Sequence, residues 1–465
     1  MVERLLFAAL LACCHLAHAQ LPAERQQVRD IFQQLVEIDT TDSAGSCTNA
    51  AQAMADRLKA GGYGEQDLQL IVPPGGPQKG NLVATLKGDG TRRPLLLLAH
   101  LDVVEAKRAD WTRDPFRLVE EDGSFYGRGV IDDKAMAASL VATMLRLKRE
   151  QVPLKRNVIL ALTCDEEQSR LDFRGADYLV KHHRALIDAE LAINEGAFGV
   201  LDEHGKRVAL GVQIGEKATQ FYNLEVVNAG GHSAYPVDDN AIYHLAEGLS
   251  RLAHWQFPLH LLPVTRAYFG QLSQLEKGPL ADDMQAILRQ PPDASAAARL
   301  AHANPNYNAS MRTTCVATQV DAGHAANALP QRARAVVNCR ILPGELAAEV
   351  LQTLVRVLDN PKIKITPIGT ALVAPTPPIN PEFMQAVAAI GADMWPGTPL
   401  LPTLFVAGTD GRFLNSAGIW TYGVTGLFVG ADQGNMHGLN EHLPVRSLYE
   451  GQQFLYRLTR KLASE

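Results

Sequence analysis

The chain is poor in the residues that mark several specialised classes of protein. It has only six cysteines in 465 residues, too few for a fold held together mainly by disulfides. Aromatic residues make up 6% and the formal net charge is −6, which excludes a base-stacking platform and a broad basic surface for nucleic acid. Beyond the first twenty residues, no apolar run approaches the length of a transmembrane helix. The remaining class is a large globular protein, 46% hydrophobic and 20% charged, with room for at least two domains.

The first twenty residues resemble a secretory signal. Arg4 supplies a basic start, residues 5–14 are apolar, and Ala17-His18-Ala19 fits a cleavage site after Ala19. Two alternatives stay open: the residues around Cys13 resemble a bacterial lipobox, which would make Cys13 a lipidated N-terminus, or the segment is a buried helix. The favoured prediction is export to a periplasm or to the outside of the cell.

Four cysteines follow this segment. Cys315 and Cys339 fall on two adjacent predicted strands, so a bridge between them can form in an oxidising compartment. Two unpaired buried thiols are the alternative, and the sequence does not decide between them.

Buried apolar runs alternate with amphipathic helices over the first half of the chain. This alternation is typical of an α/β domain, and we predict a mixed, largely parallel sheet sandwiched by helices. The same layering returns near the C-terminus, with a helix at 382–394 and an apolar run at 425–429. In the first half the predicted strands are 81–87, 95–99, 157–163 and 190–193, and the predicted helices are 26–38, 50–60, 136–148 and 175–182.

Between these two parts the order changes to β-α-β-β-α-β, a ferredoxin-like split motif. Its predicted strands are 221–227, 314–320, 334–341 and 362–367, and its predicted helices are 241–252 and 345–358. Residues 258–310 interrupt it and contain helical stretches at 283–288 and 295–303. The predicted layout is a signal at 1–19, a catalytic α/β domain at 20–214 and 371–465, and an inserted lid or dimerisation domain at 215–370.

Ionisable side chains follow three of the buried strands directly: His100-Leu101-Asp102, Asp165-Glu166-Glu167 and Asn194-Glu195-Gly196. In open α/β sheets, sites form where the carboxyl ends of strands meet. Clustered carboxylates repel one another unless a cation compensates them, and imidazole together with carboxylate suits zinc, with cobalt or manganese as alternatives. A pair of divalent ions therefore accounts best for this arrangement. Adjacent residues at a strand end point in opposite directions, so Glu166 and Glu167 can divide their roles.

These motifs together resemble the M20 metallopeptidases, from about residue 26 to residue 461. The segments His100-Leu101-Asp102-Val103-Val104, Trp111 and Asp114-Pro115-Phe116 look most like the carboxypeptidase S and Gly-X carboxypeptidase branch. The other segments that carry the resemblance are Gly127-Arg128-Gly129-Val130-Ile131-Asp132-Asp133-Lys134, Asp165-Glu166-Glu167, Asn194-Glu195-Gly196, Gly231-His232-Ser233-Ala234-Tyr235-Pro236 and His437.

The resemblance implies a hydrolase with two divalent metal ions, zinc in the first place. Asp132 would bridge the ions, with His100 and Glu195 completing one site and Glu167 and His437 the other. Asp102 would orient His100 through the second ring nitrogen. Glu166 would be the general base that takes a proton from the attacking water and passes it to the leaving nitrogen.

The resemblance also implies a substrate site shared between two subunits. His232 of the inserted domain would reach the active site of a partner subunit and stabilise the oxyanion, in a homodimer formed through that domain. Asn327 and Arg340 match a pair in the family's inserted domain, and Arg340 would grip a substrate carboxylate. Gly408 and Thr409 match the family's glycine-rich substrate loop.

The predicted function is cleavage of a peptide or amide bond next to a free C-terminal carboxylate by a secreted enzyme. The alternatives are a hydrolase of N-acyl amino acids (an aminoacylase), a dipeptidase, or a catalytically silent binding protein on the same fold. Two features depart from the family pattern: the segment 168–173 is longer and poorer in glycine than the usual turn, and the insertion at 258–310 enlarges the lid.

Overall fold

The computed structural model describes residues 21–168 and 173–465. The predicted signal, with its cleavage site at Ala19 and the alternative lipid site at Cys13, lies outside these residues, as does most of the segment 168–173. A helix able to span a lipid bilayer is absent from the residues described.

Helices and strands alternate along most of the described chain. In chain order the helices are α1 Ala23–Glu37, α2 Cys47–Ala60, α3 Lys134–Arg149, α4 Gly175–His182, α5 Arg184–Ile187, α6 Ala241–His254, α7 Pro263–Leu275, α8 Pro279–Ile287, α9 Ala294–Ala303, α10 Pro305–Met311, α11 Ala347–Leu358, α12 Pro381–Met394, α13 Gly411–Ser416 and α14 Val445–Ser464. The strands are β1 Leu68–Ile71, β2 Asn81–Leu86, β3 Leu95–His100, β4 Val119–Glu121, β5 Ser124–Tyr126, β6 Val158–Thr163, β7 Leu191–Asn194, β8 Gly199–Leu201, β9 Arg207–Glu216, β10 Ala218–Val227, β11 Gly231–His232, β12 Thr314–Ala322, β13 Ala328–Leu329, β14 Arg332–Ile341, β15 Lys364–Ile368, β16 Leu400–Phe405, β17 Trp420–Gly423, β18 Phe428–Val429 and β19 His442–Pro444.

A large mixed sheet forms the centre of the molecule, as predicted. Its order is β1-β2-β6-β3-β7-β17-β9-β8-β18, with β16 beside β9. The central strands β6, β3, β7 and β17 are parallel, whereas β1 and β2 pair antiparallel to their neighbours and β8 pairs antiparallel to β9. Every residue of β3 is buried, because alternate side chains enter two different cores. Leu95 and Leu97 pack with α1, α2, α3 and α14, and Leu96 and Leu98 pack with α4, α5 and α13.

The ferredoxin-like part has the predicted β-α-β-β-α-β order. Strands β10, β12, β14 and β15 form a separate antiparallel sheet in the order β12-β14-β10-β15. Apolar side chains of α6 and α11, such as Leu245 and Leu354, form a core of their own with Tyr222 and Val337 of this sheet. Strand β10 begins two residues after β9 ends, so Lys217 is the single residue between these strands of the large and the small sheet.

The helical insertion packs differently from what its sequence position suggested. Its helices α7, α8 and α9 bury Phe269, Met284 and Leu300 together with Ala209 of β9 and Leu401 of β16. The insertion therefore covers an edge of the large sheet instead of only enlarging the lid.

Two disulfides connect parts of the described chain. Cys315 and Cys339 face each other directly on β12 and β14 and are bonded, which decides between the two alternatives left open by the sequence. Cys47, the first residue of α2, is bonded to Cys164, which follows β6 directly. This second bridge fixes the start of the segment that carries Asp165, Glu166 and Glu167.

Removal of the Cys47–Cys164 bridge should destabilise the protein more than removal of the other bridge. We expect the double variant Cys47→Ala/Cys164→Ala to lose about 2–5 kcal/mol of unfolding free energy, because the bridge closes a long loop of the unfolded chain. The separation is 117 residues, against 24 for Cys315 and Cys339. The variant Cys315→Ala/Cys339→Ala is the matched control and should lose roughly 1 kcal/mol less. Guanidinium unfolding followed by circular dichroism measures both, and a larger loss in the control would contradict this expectation.

Candidate metal centre and active site

The polar residues that follow the central strands meet at one edge of the large sheet. Strands β3 and β6 are parallel, with His100 opposite Thr163, and β7 lies on the other side of β3. The segments after these strands therefore bring Asp102, Glu166 and Glu195 into one region, as the sequence predicted.

Two groups of side chains that could each hold a metal ion share Asp132. His100, Asp132 and Glu195 form one group, and Asp132, Glu167 and His437 the other; within each, the ligand atoms lie within 4.8 Å of one another. The two oxygens of Asp132 face opposite ways: Oδ1 is 2.9 Å from His100 Nε2 and Oδ2 is 3.1 Å from His437 Nε2. A carboxylate placed in this way can bridge two cations, and the mixture of imidazole and carboxylate fits zinc, cobalt or manganese.

The loop that carries Asp132 is held by the buried carboxylate of Glu441. This carboxylate accepts hydrogen bonds from the backbone N–H groups of Gly129 (2.9 Å), Ile131 (2.8 Å) and Asp132 (3.3 Å). It also forms an ion pair with Arg128 at 2.7 Å, and the Glu441 side chain is 1% exposed. Glu441 therefore fixes the position of the shared carboxylate without belonging to either group itself.

Asp102 contacts its neighbours through both its main chain and its side chain. His100 Nδ1 lies 3.0 Å from the backbone carbonyl of Asp102 and 3.6 Å from its carboxylate oxygen Oδ1. The carboxylate instead accepts hydrogen bonds from the backbone N–H groups of Glu166 (3.2 Å) and Glu167 (3.0 Å). The main chain of Asp102 thus holds the histidine, while its side chain holds the two glutamates.

The crowding of acids shifts their pKa values strongly. Burial raises the pKa of Glu166 to about 8, although the Arg412 guanidinium at 3.6 Å opposes the shift. Burial also raises the pKa of Glu195 well above its usual value. Hydrogen bonds to Asp132 and Glu167 raise the pKa of His437 to about 10. These protein groups alone compensate the acids poorly, and divalent cations would supply the missing positive charge.

Four of the five residues of these two groups, Asp132, Glu167, Glu195 and His437, line a cleft of about 460 Å³. The cleft is lined by both sheets, since Thr219, Phe221 and Arg340 come from β10 and β14. Its four cationic side chains are Arg174, Lys217, Arg340 and Arg412. Its larger apolar side chains are Phe198, Phe221, Ile368, Leu372, Phe405, Phe413 and Met436.

Four residues are predicted to bind substrate, two in the inserted domain and two in the glycine-rich loop. Two of these four line the cleft. They are Arg340, which donates a hydrogen bond to Thr219 Oγ1, and Gly408. Thr409 is buried: its backbone N–H donates to Glu216 at 2.6 Å and its hydroxyl contacts Asn194 at 3.1 Å. It therefore holds the loop and does not face the cleft.

His232 and Asn327 lie elsewhere, on the exposed ribbon of β11 and β13. His232 Nδ1 accepts a hydrogen bond from the backbone of Ala234, and the Asn327 carbonyl accepts one from Ser233. Among the residues described, neither lines the cleft of its own chain. Their predicted role therefore depends on a second copy of the chain.

Sequence reasoning missed Glu441, Arg412, Lys217 and Glu216. Arg412 follows the predicted loop residues Gly408 and Thr409 by a few positions, and this proximity was the one available signal for it. Glu441 contacts backbone groups about 310 residues away, which no local pattern reveals.

Comparison with known proteins connects this geometry to one family. A family model described as peptidase family M20/M25/M40 matches residues 96–461. The N-fatty-acyl-amino acid synthase/hydrolase PM20D1 of Homo sapiens is 29% identical over 388 residues, covering 80% of this chain and 75% of the relative. The probable carboxypeptidase S-like 2 of Dictyostelium discoideum is 27% identical over 389 residues, covering 81% and 73%.

A solved structure has the same fold. The M20 family metallo-carboxypeptidase Sso-CP2 from Sulfolobus solfataricus aligns with a TM-score of 0.69, covering 95% of this chain and 99% of that protein. The two sequences are 18% identical, so this likeness concerns the fold alone.

Replacement of Glu441 should weaken metal binding although Glu441 belongs to neither metal-binding group. We expect Glu441→Gln to lower zinc affinity about 10- to 100-fold, because the loop that carries Asp132 loses its anionic anchor. Competition with a chromophoric chelator measures the affinity. The control is Glu121→Gln, an exposed glutamate on β4. A zinc affinity within twofold of the unchanged protein would refute the anchoring role.

Proposed function

The chain belongs to peptidase family M20/M25/M40 and is a peptidase or amidohydrolase of that family, and from this premise we propose a two-metal hydrolase acting next to a free carboxylate. The bond would be a peptide or amide bond whose nitrogen belongs to the amino acid that carries the carboxylate. The observation that carries the proposal is Asp132, whose two oxygens face two different histidines, one in each group of ligands, in a cleft that Glu166 also lines.

Two divalent ions would be held by the two groups that share Asp132. His100 and Glu195 would complete one site, and Glu167 and His437 the other. When bound, such ions polarise a carbonyl and lower the pKa of water. Zinc fits the donors best, and cobalt and manganese are alternatives.

Glu166 is the proposed general base. It lines the cleft next to both groups but belongs to neither, and its backbone is held by Asp102. Its carboxylate would take a proton from the attacking water and deliver it to the leaving nitrogen. Arg412 at 3.6 Å would favour the ionised form that the first step needs.

Arg340 is the proposed carboxylate-binding residue. It lines the cleft from β14, and burial and the nearby Arg412 lower its pKa, with no acid contributing. No acid is paired with this guanidinium among the residues described, which favours a carboxylate ligand that it can bind with two hydrogen bonds. Asn327 would bind substrate only in an assembled dimer, at the cleft of the partner chain.

The acyl side of the substrate separates the two leading candidates. A carboxypeptidase would take a peptide there, whereas the apolar wall of the cleft, with Phe198, Phe221 and Phe405, favours a hydrocarbon chain. The similarity to PM20D1 supports the second candidate, a hydrolase of N-acyl amino acids. A dipeptidase would make less use of the apolar wall of the cleft, because its substrates are short. A catalytically silent binding protein would not need the full set of candidate ligands and base, which is present here: His100, Asp132, Glu166, Glu167, Glu195 and His437.

Export and dimer formation are two further parts of the proposal. The two disulfides support an oxidising compartment, in agreement with the predicted signal at residues 1–19. The exposed position of His232 supports a homodimer in which this side chain enters the partner's cleft.

Replacement of Glu166 and replacement of Glu167 should affect the bound metal differently. We expect Glu166→Gln to keep two metal ions per chain and to lower kcat about 10²- to 10⁴-fold, because the proton acceptor is lost. Glu167→Gln is the matched variant and should lose part of its bound metal. Elemental analysis and hydrolysis of N-dodecanoylglycine and glycyl-leucine provide the two measurements. Turnover by Glu166→Gln within tenfold of the unchanged protein would exclude Glu166 as the base.

Replacement of Arg340 should act on the carboxylate of the substrate alone. We expect Arg340→Gln to lower kcat/KM about 10- to 100-fold for N-dodecanoyl amino acids, because a charge-assisted contact is lost. The corresponding C-terminal amides should be affected little. Arg332→Gln, an exposed change on the same strand, is the control. An equal loss of kcat/KM with the free acids and with the amides would show that Arg340 does not bind the substrate carboxylate.

Mixed dimers test whether His232 acts across subunits. His232→Ala and Glu166→Gln should each be inactive alone, and an equal mixture should regain up to about a quarter of the activity, since half of the dimers are then mixed and each mixed dimer has one complete site out of two. Exchange of subunits is followed with two affinity tags. If tagged mixed dimers form and remain inactive, His232 does not serve the partner's site.

A further inference from the structure

A second cavity lies outside the cleft and shares none of its lining residues. It lies between the end of α6, the chain that follows it, helix α10 and the start of β12. Its volume is about 700 Å³, against about 460 Å³ for the cleft. This is within the range of about 300–1,000 Å³ that is typical of small-molecule sites.

The wall of this cavity is mainly hydrocarbon. It includes Leu249, Leu252, Trp255, Phe257 and Val316. Trp255 is 40% exposed and Val316 is 61% exposed. Large apolar side chains exposed in a concave region favour an apolar ligand that covers them.

One buried cation, Arg312, lines the same cavity. Its side chain is part of a residue that is only 6% exposed. Its Nη1 donates hydrogen bonds of 3.0 Å to Gln256 Oε1 and to the carbonyl of Phe257. Its Nε is buried without a hydrogen-bond partner.

No acid compensates this guanidinium among the residues described. Burial lowers the pKa of Arg312, and no carboxylate contributes to raise it. A buried charge without a counter-ion is costly, so the cavity favours a ligand that brings a negative charge. Asn308 lines the cavity as well, and its buried Oδ1 has no hydrogen-bond partner.

We propose that this cavity binds an acid with a long apolar tail, the carboxylate at Arg312 and the tail along Leu252, Trp255 and Phe257. The chemistry fits a free fatty acid and an N-acyl amino acid equally at the carboxylate. The site is separate from catalysis and does not depend on the proposed function.

Quenching of Trp255 fluorescence by 12-bromododecanoate tests the proposal on the metal-loaded protein. We expect saturable quenching with one ligand per chain, and its loss in Trp255→Phe. Arg312→Gln should raise Kd roughly 10- to 100-fold, because the charge-assisted contact is lost. Arg332→Gln, on the surface of the same domain, should leave Kd unchanged. In displacement assays, dodecanoate and N-dodecanoylglycine should compete and dodecanol should compete poorly; tighter competition by one of the two acids identifies the source.

Three results would overturn the proposal: an unchanged Kd in Arg312→Gln, equal competition by dodecanol, or loss of the Trp255 signal in Arg340→Gln, which would move the ligand to the cleft. Arg312 also holds Gln256 and Phe257, so that variant can fail to fold. Ala253→Leu then decides, because it reduces the cavity and leaves Arg312 in place. Its Kd should rise at least tenfold, and an unchanged Kd would also refute the site. Mass spectrometry of N-dodecanoylglycine after the measurement checks that it stayed intact.

Discussion

The position of one carboxylate, that of Asp132, decides what the active site can do. It must lie between His100 and His437, which come from the end of β3 and from a loop near the C-terminus. The loop that carries Asp132 has no regular secondary structure. Three of its backbone N–H groups instead donate hydrogen bonds to the carboxylate of Glu441. The carboxylate of Glu441 is buried and paired with Arg128. It therefore holds the loop in place, and the side chains of the two groups around Asp132 are not needed for this.

The charge of the whole chain says little about this region. A net charge of −6 is small for 465 residues, yet Asp132, Glu166, Glu167 and Glu195 converge in one partly buried region of the cleft. The cations Arg340 and Lys217 line the same cleft. Acids suited to divalent cations, a guanidinium suited to a carboxylate and apolar lining side chains together fit a substrate with a carboxylate, an amide bond and a hydrocarbon chain.

The two sheets contribute different parts of this cleft. The large sheet carries the metal-binding groups, and the small sheet brings Arg340 over them through the short connection at Lys217. Lys217 donates hydrogen bonds to the carbonyls of Ala309 and Arg312, so the helical insertion is attached to this same connection. Packing of the insertion on β9 and β16 then links the small sheet to the large one at a second place.

The sequence by itself determined the mixed α/β sheet, the inserted β-α-β-β-α-β unit, the M20 family and the groups that lie around Asp132. It could do so because buried parallel strands appear as apolar runs and because ligands that follow such strands stay next to them in the sequence. The bridge from Cys47 to Cys164, the anchor Glu441 and the insertion on β9 and β16 were decided only by the tertiary structure. Each of these joins residues far apart in the chain through contacts that leave no local pattern, such as a carboxylate that binds backbone N–H groups present in every residue but proline. The roles predicted for His232 and Asn327 also depend on more than the sequence. The folded single chain leaves both residues outside its own cleft, so those roles require a partner chain.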